Sequence, residues 1–174
     1  MDYYQGVVTE YLRADRSVFV NPECYIQTME GKKPPKGLSW YCDILAVQFG
    51  SELSGTSGIF LCEVTYSENL NSLIRRLRAW NDKWDEVLKA LVKYSHLPPD
   101  WPVRPWLFVP ERKVGKECAK KLVDVLKQLD ASQGLQFTPR ITPLEMVQPW
   151  AYPDIRTGEE MKLKPACIPE EWQK

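Results

Sequence analysis

The sequence contains little histidine, little net charge and no long apolar run, and each shortage excludes a class of function. His96 is the only histidine among 174 residues, which excludes zinc proteases and nucleases whose metal sites need several histidines. Lysine plus arginine and aspartate plus glutamate both number 23, so any contact with nucleic acid must use local patches. The chain also has no glycine-rich phosphate loop of the Walker or dinucleotide type. Metal chemistry in this chain must therefore use carboxylates.

The distribution of apolar residues and cysteines indicates a cytoplasmic protein without a membrane anchor. No apolar stretch approaches membrane-spanning length, and the N-terminus has neither the basic residues nor the apolar run of a signal peptide. The five cysteines form no Cys-x-x-Cys pair, and Cys42 and Cys62 lie inside apolar segments. We therefore expect buried free thiols in a reducing compartment.

Two apolar segments in the first half of the chain each carry one carboxylate. Residues 40–47 include Asp43 and residues 59–66 include Glu63, and both segments are short and rich in β-branched and aromatic residues. The glycine- and serine-rich residues 50–58 separate them. This pattern predicts two neighbouring strands with Asp43 and Glu63 facing each other across one sheet.

Two carboxylates on buried strands need a compensating partner. An ionised carboxylate in a low-dielectric interior costs several kcal/mol unless a cation or hydrogen-bond donors offset its charge. Mg²⁺ and Mn²⁺ prefer oxygen ligands, commonly one or two carboxylates completed by water and by substrate phosphate oxygens. The pair therefore indicates a divalent metal site of the kind that cleaves phosphodiesters.

These residues resemble the PD-(D/E)XK superfamily of restriction-endonuclease-like phosphodiesterases, whose motif is an acid on one strand and Glu-x-Lys on the next. Asp43 matches the first acid and Glu63 the second. The resemblance implies that both carboxylates and the Val64 carbonyl hold the metal. Glu10, on the first predicted helix, stands where many members add another glutamate. Thr65 occupies the position of the motif lysine, and the resemblance gives it a role in positioning water.

The threonine leaves the predicted site without its positive charge. The helix predicted at residues 70–97 follows the second acid-bearing strand and carries Arg75 and Arg76. Either arginine could clamp phosphate, and Arg76 is the candidate that substitutes for the catalytic lysine. Candidate phosphate contacts in a proline-stiffened loop are Lys33 and Lys36.

Each of these charged residues also has a structural interpretation. Arg75 and Arg76 fit the solvated face of an amphipathic helix, and a charged loop is commonly only solvated. Glu10 fits a surface pair with Arg13. Both interpretations stay open at this stage.

The order of predicted elements indicates an α/β fold. The resemblance implies a mixed central β-sheet flanked by helices with an αβββαβ core. We predict one α/β domain at residues 1–138, followed by a proline- and aromatic-rich extension at 139–174 that packs on the domain or on a protein partner. The predicted helices are 2–14, 70–97 and 113–129, and the predicted strands are 17–20, 24–28, 40–47, 59–66, 106–109 and 135–138.

Three functions fit the sequence. The resemblance implies a Mg²⁺- or Mn²⁺-dependent nuclease that cleaves DNA. Because Thr65 replaces the lysine, a second hypothesis is a catalytically inactive module of the same fold that binds nucleic acid or a protein. A third is an interaction module of an unrelated α/β fold, in which arginines such as Arg75 satisfy Asp43 and Glu63 structurally.

Overall fold

The computed structural model describes residues 2–26, 40–50, 57–67, 69–111, 118–147 and 168–173. These residues form a five-stranded mixed sheet with helices on both faces. Within these ranges, no helix combines the length and the apolar content needed to cross a bilayer. The elements in chain order are α1 (Tyr3–Arg13), β1 (Val18–Ile26), β2 (Trp40–Gln48), β3 (Gly58–Val64), α2 (Asn71–Asp82), α3 (Trp84–Ser95), β4 (Val103–Val109), α4 (Cys118–Gln133), β5 (Arg140–Pro143), α5 (Leu144–Val147) and α6 (Glu170–Gln173).

Spatial order in the sheet follows chain order, from β1 at one edge to β5 at the other. The first three strands are antiparallel neighbours, whereas β3, β4 and β5 are parallel. A parallel connection requires a long crossover, which α2 and α3 supply between β3 and β4. The central strand β3 is consequently covered on both faces and is buried at every position.

Alternation along β3 assigns its side chains to two cores. Phe60, Cys62 and Val64 join a cluster under α1, whereas Ile59 and Leu61 join the larger cluster under α2, α3 and α4. Successive side chains of a strand point to opposite faces. The side chain after Cys62, which is Glu63, therefore points toward α2. Cys42 and Cys62 are buried free thiols, as the sequence predicts.

The helix predicted at residues 70–97 is two helices, so the prediction of one continuous helix was wrong. The break lies at Lys83, whose amide donates to the Trp80 carbonyl and ends α2. Asn81, one of the few buried polar residues, donates to the Gly134 carbonyl at 3.1 Å and accepts from the Gln136 amide at 2.9 Å. The chain thus leaves its helical path where a buried side chain binds the segment after α4.

Replacing Asn81 by alanine is expected to lower the free energy of unfolding by about 2 kcal/mol, because it removes the two hydrogen bonds that this buried side chain makes with part-buried backbone groups. Urea denaturation of the variant and of Asp82→Ala, an exposed neighbour, measures the difference. Equal stability of the two variants would show that the Asn81 bonds do not stabilise the fold.

The last strand lies at Arg140–Pro143 and not at residues 135–138 as predicted. The Arg104 side chain donates to the carbonyls of Thr138 and Pro139, so these groups bond to a side chain and not to a strand. Part of the predicted extension is therefore inside the fold, as β5, α5 and the buried side chains of Ile168 and Trp172. Residues 148–167 lie outside the described residues.

The edge strand β1 is one interrupted strand and not two. Pro22 and Glu23 lie at its centre, and Glu23 has a φ of 56°. The pairing continues on both sides of this point, with Pro22 opposite Ile44 and Cys24 opposite Cys42. The strand keeps one register through a local kink.

Candidate functional site

Asp43 and Glu63 lie on adjacent antiparallel strands, as the sequence predicts. The last registered pair of β2 and β3 is Ile44 with Cys62, so the next position brings Asp43 opposite Glu63. The backbone amide of Val64 donates to Asp43 Oδ2 at 2.8 Å. This bond fixes the Asp43 carboxylate against the end of β3.

Glu63 is a buried carboxylate with one satisfied oxygen. Its side chain is only 4% exposed, and its Oε2 accepts from Arg76 Nη1 on α2. The other oxygen, Oε1, is buried and has no hydrogen-bond partner among the described residues. Buried polar atoms almost always have a partner, so Oε1 marks a place for a proton, a cation or a donor.

Burial raises the pKa of both carboxyl groups. For Glu63 the negative charge of Asp43 raises the pKa further, while Arg76 opposes the shift, and the pKa remains well above its usual range. For Asp43, burial raises the pKa, while the hydrogen bond from the Val64 amide and the charge of Arg76 lower it. The effect of burial is larger, so the pKa is still raised. The pair therefore binds a proton more readily than exposed carboxylates do.

The raised Glu63 pKa predicts a pH dependence of stability. Above the ordinary glutamate pKa the folded protein holds this proton more tightly than the unfolded chain, so the free energy of unfolding falls as pH rises toward the folded pKa. Glu63→Gln removes this contribution. The free energy of unfolding of the variant, relative to that of the wild type, should therefore be higher at about pH 8 than at about pH 5. Urea unfolding in EDTA at both pH values measures the difference. An equal pH slope in both proteins would contradict the raised pKa.

A polar cavity of about 200 Å³ opens beside the carboxylate pair. Four hydroxyl or amide side chains line it with the two acids and Arg76, and its other walls are Val64 and Leu73. Within its loop, the Thr65 hydroxyl accepts from the Ser67 amide at 3.3 Å. The cavity is lined by Asp43, Glu63, Val64, Thr65, Ser67, Asn69, Ser72, Leu73 and Arg76. It therefore contains every residue of the predicted motif and the predicted arginine.

Other predicted site residues lie elsewhere. The Glu10 side chain is 74% exposed and pairs with Arg13 at 3.0 Å, so it does not add a third carboxylate to the cavity. Arg75 is exposed on α2 and is not a lining residue, because adjacent helical positions point about 100° apart. Lys33 and Lys36 lie outside the described residues.

The start of α1 contributes contacts that the sequence analysis missed. A hydrogen bond from the Gln5 side chain lowers the Asp43 pKa, whereas the charge of Asp2 raises it. Asp2 and Gln5 also form a capping box, each side chain accepting the other residue's backbone amide at 2.9 Å. The Asp-x-x-Gln spacing predicts this helix start, but only the folded chain shows that it lies against Asp43.

A stacked aromatic pair forms just after the end of β3. Tyr66, which directly follows the lining residue Thr65, stacks on Tyr4 with ring centroids 4.1 Å apart and an interplanar angle of 11°. Tyr3 contacts Tyr4 edge-on at 5.3 Å. Both Tyr66 and Tyr3 are exposed. The start of α1 and the segment after β3 therefore present aromatic surface to solvent.

The fold and the site define an α/β protein whose mixed five-stranded sheet carries a buried carboxylate pair beside a polar cavity. The pair is a group of two: the described part of the chain contains no cluster of three or more histidine, cysteine, aspartate or glutamate side chains placed to hold a metal ion. Comparison with protein-family models, with curated proteins and with solved structures found no match to the chain.

Proposed function

We propose that the protein is a divalent-metal-dependent nuclease that cleaves DNA phosphodiester bonds and has a PD-(D/E)XK, restriction-endonuclease-like core. The observation that carries the proposal is the unpartnered Glu63 Oε1, buried beside Asp43 at a polar cavity. Carboxylate oxygens in such a position suit a hard divalent cation.

The residues present fit Mg²⁺ or Mn²⁺. Asp43 and Glu63 would hold the ion with the Val64 carbonyl, and two carboxylates suffice because water and substrate phosphate complete the coordination of Mg²⁺. The Arg76 charge offsets part of the negative charge of the pair. The ion, when bound, would supply an activated water and would offset charge on the phosphate.

The chain's own groups have separate roles in this site. Arg76 donates a hydrogen bond to Glu63 Oε2, and Oε1 has no partner among the described residues. The Val64 amide orients Asp43, and the Thr65 hydroxyl can hold a water molecule in the cavity although it carries no charge. The side chains therefore orient the ligands and the water, while the source of positive charge near the phosphate must lie outside position 65.

The fold supports the same proposal at a coarser level. From α1 to β4 the order is a helix, three antiparallel strands, two helices and a parallel strand. The αβββαβ core has this order once α2 and α3 are counted as one helical crossover. The acids also lie on the second and third strands of this core.

The exposed aromatic surface of Tyr3 and Tyr66 favours a nucleic acid over a small phosphodiester. Bases stack on aromatic side chains with little sequence preference, and Tyr66, which stacks on Tyr4, directly follows the cavity-lining residue Thr65 in the chain. Arg75 is exposed on α2 and remains a candidate contact to the phosphate backbone of the nucleic acid.

A second candidate function is a catalytically inactive module that binds nucleic acid or a protein. The observation in its favour is that Arg76 and the Val64 amide already satisfy part of the carboxylate pair, while Thr65 replaces the lysine. In this case Glu63 would be a structural residue.

Cleavage of supercoiled plasmid and of labelled single strands with Mg²⁺ or Mn²⁺ separates the two functions. The nuclease should nick or degrade at least one substrate, lose activity in EDTA, and show a higher melting temperature with the metal. Binding of DNA without turnover would favour the inactive module. If the protein shows no turnover and no metal-dependent shift in melting temperature, the nuclease proposal is overturned.

A further inference from the structure

Two backbone amides at the N-terminus of α2 have no hydrogen-bond partner among the described residues. Leu70 at the N-cap gives no side-chain hydrogen bond, and the first turn contains no acidic residue. Asn69 Oδ1 accepts from the Asn71 amide at 2.9 Å. The next two amides, of Ser72 and Leu73, form no hydrogen bond with any residue in the described ranges. Two N–H groups at the positive end of this 12-residue helix therefore have no partner among the described residues.

These amides belong to residues that line the carboxylate cavity. Ser72 and Leu73 share it with Glu63, whose buried Oε1 also lacks a partner among the described residues. Carboxylate oxygens need a cation or a donor, whereas backbone amides need an acceptor. A phosphate oxygen beside a divalent cation satisfies both requirements at once.

The charges in the cavity explain why an anion would need this helix end. Arg76 pairs with Glu63, and its charge also acts on Asp43. The two acids therefore balance most of the positive charge of Arg76. Thr65 adds none. A helix N-terminus carries roughly half a positive charge and is a common phosphate site.

We propose that the Ser72 and Leu73 amides, with the Ser72 hydroxyl, bind a non-bridging oxygen of the substrate phosphate, and that this helix end supplies the positive potential that the motif lysine would give. The proposal rests on the proposed metal site, because the bare carboxylates would repel the phosphate. It assigns phosphate recognition to the backbone of α2 and leaves Arg76 as the positioning residue of Glu63.

Titration calorimetry with inorganic phosphate tests the proposal on the Mg²⁺-loaded protein. Ser72→Asp places a carboxylate at the helix N-terminus, which favours the helix but blocks the anion, so the melting temperature should hold or rise while phosphate affinity falls at least about tenfold. Ser72→Pro removes the amide and hydroxyl at a first-turn position that accommodates proline, and should give a similar loss. Gln128→Glu, which adds the same charge at an exposed position of α4, should keep wild-type affinity.

The arms of this experiment separate two failures. If Mg²⁺ alone does not bind the wild-type protein, the proposed function and the phosphate site both fail. If Mg²⁺ binds but phosphate does not, or if Ser72→Asp and Ser72→Pro bind phosphate as tightly as Gln128→Glu, only the assignment to the helix end is overturned. Loss of affinity in both Ser72 variants with retained Mg²⁺ binding supports it.

Discussion

Glu63→Gln is expected to lower metal-dependent cleavage by about a thousandfold, because a metal ion at a phosphoryl centre contributes several kcal/mol of charge stabilisation. Glutamine keeps the shape of glutamate and can still contact Arg76, but its neutral amide is a much weaker ligand for Mg²⁺. Metal-dependent stabilisation should disappear together with cleavage. Initial rates on plasmid and melting temperatures with and without Mg²⁺ measure the two effects.

Glu86→Gln is the matched control for this variant. Glu86 also pairs with a cation, Lys83 at 3.3 Å, but its side chain is 49% exposed and lies outside the cavity. Its replacement should leave the cleavage rate and the metal-dependent melting shift unchanged. A Glu63→Gln variant that folds, binds Mg²⁺ and cleaves at the wild-type rate would remove Glu63 from the site.

Arg76→Met is expected to destabilise the metal-free protein by about 2 kcal/mol at neutral pH. Breaking a fully buried ion pair costs about 3–5 kcal/mol, and the expected value is smaller because the Arg76 side chain is 36% exposed to water. The loss arises because Glu63 must then either remain charged in the interior or take up a proton. Urea denaturation in EDTA measures it.

Two comparisons isolate the role of the Arg76 charge. Arg78→Met, on the exposed face of the same helix, should change stability by less than about 0.5 kcal/mol. Adding Glu63→Gln to Arg76→Met should recover most of the lost stability, because no buried charge then lacks its partner. Additive losses in the double variant would show that the two side chains do not stabilise each other.

The sequence predicted the carboxylate pair because its signal is local. Asp43 and Glu63 lie in short apolar segments, and a strand period of two then brings them opposite each other once the two strands are paired. The position of Arg76 also followed from the chain order of β3 and α2. The choice between Arg75 and Arg76 depended on the rotation of α2 about its axis, which tertiary packing determines.

The remaining site features depend on contacts between distant segments. Glu10 and Gln5 lie on the same helix, and the packing of α1 brings the start of the helix, not its centre, toward Asp43. Asn81 lies within two residues of the break in the predicted long helix, and it binds residues 53 and 55 positions further along the chain. Helical periodicity alone carries no information about such partners. The shift of the last strand has the same origin, since Arg104 binds the carbonyls before it.

We expect the kink at Pro22 and Glu23 to reduce pairing between copies of the chain in concentrated solution. An edge strand such as β1 offers a row of backbone donors and acceptors on which a second chain can align, and this is a common route to aggregation. Proline removes one of these donors, and the left-handed backbone at Glu23 bends the row where a straight neighbour would need to match it. Glu23 also places a charged residue at that edge. These features are expected to limit intermolecular β-pairing at β1, the strand next to the one that carries Asp43.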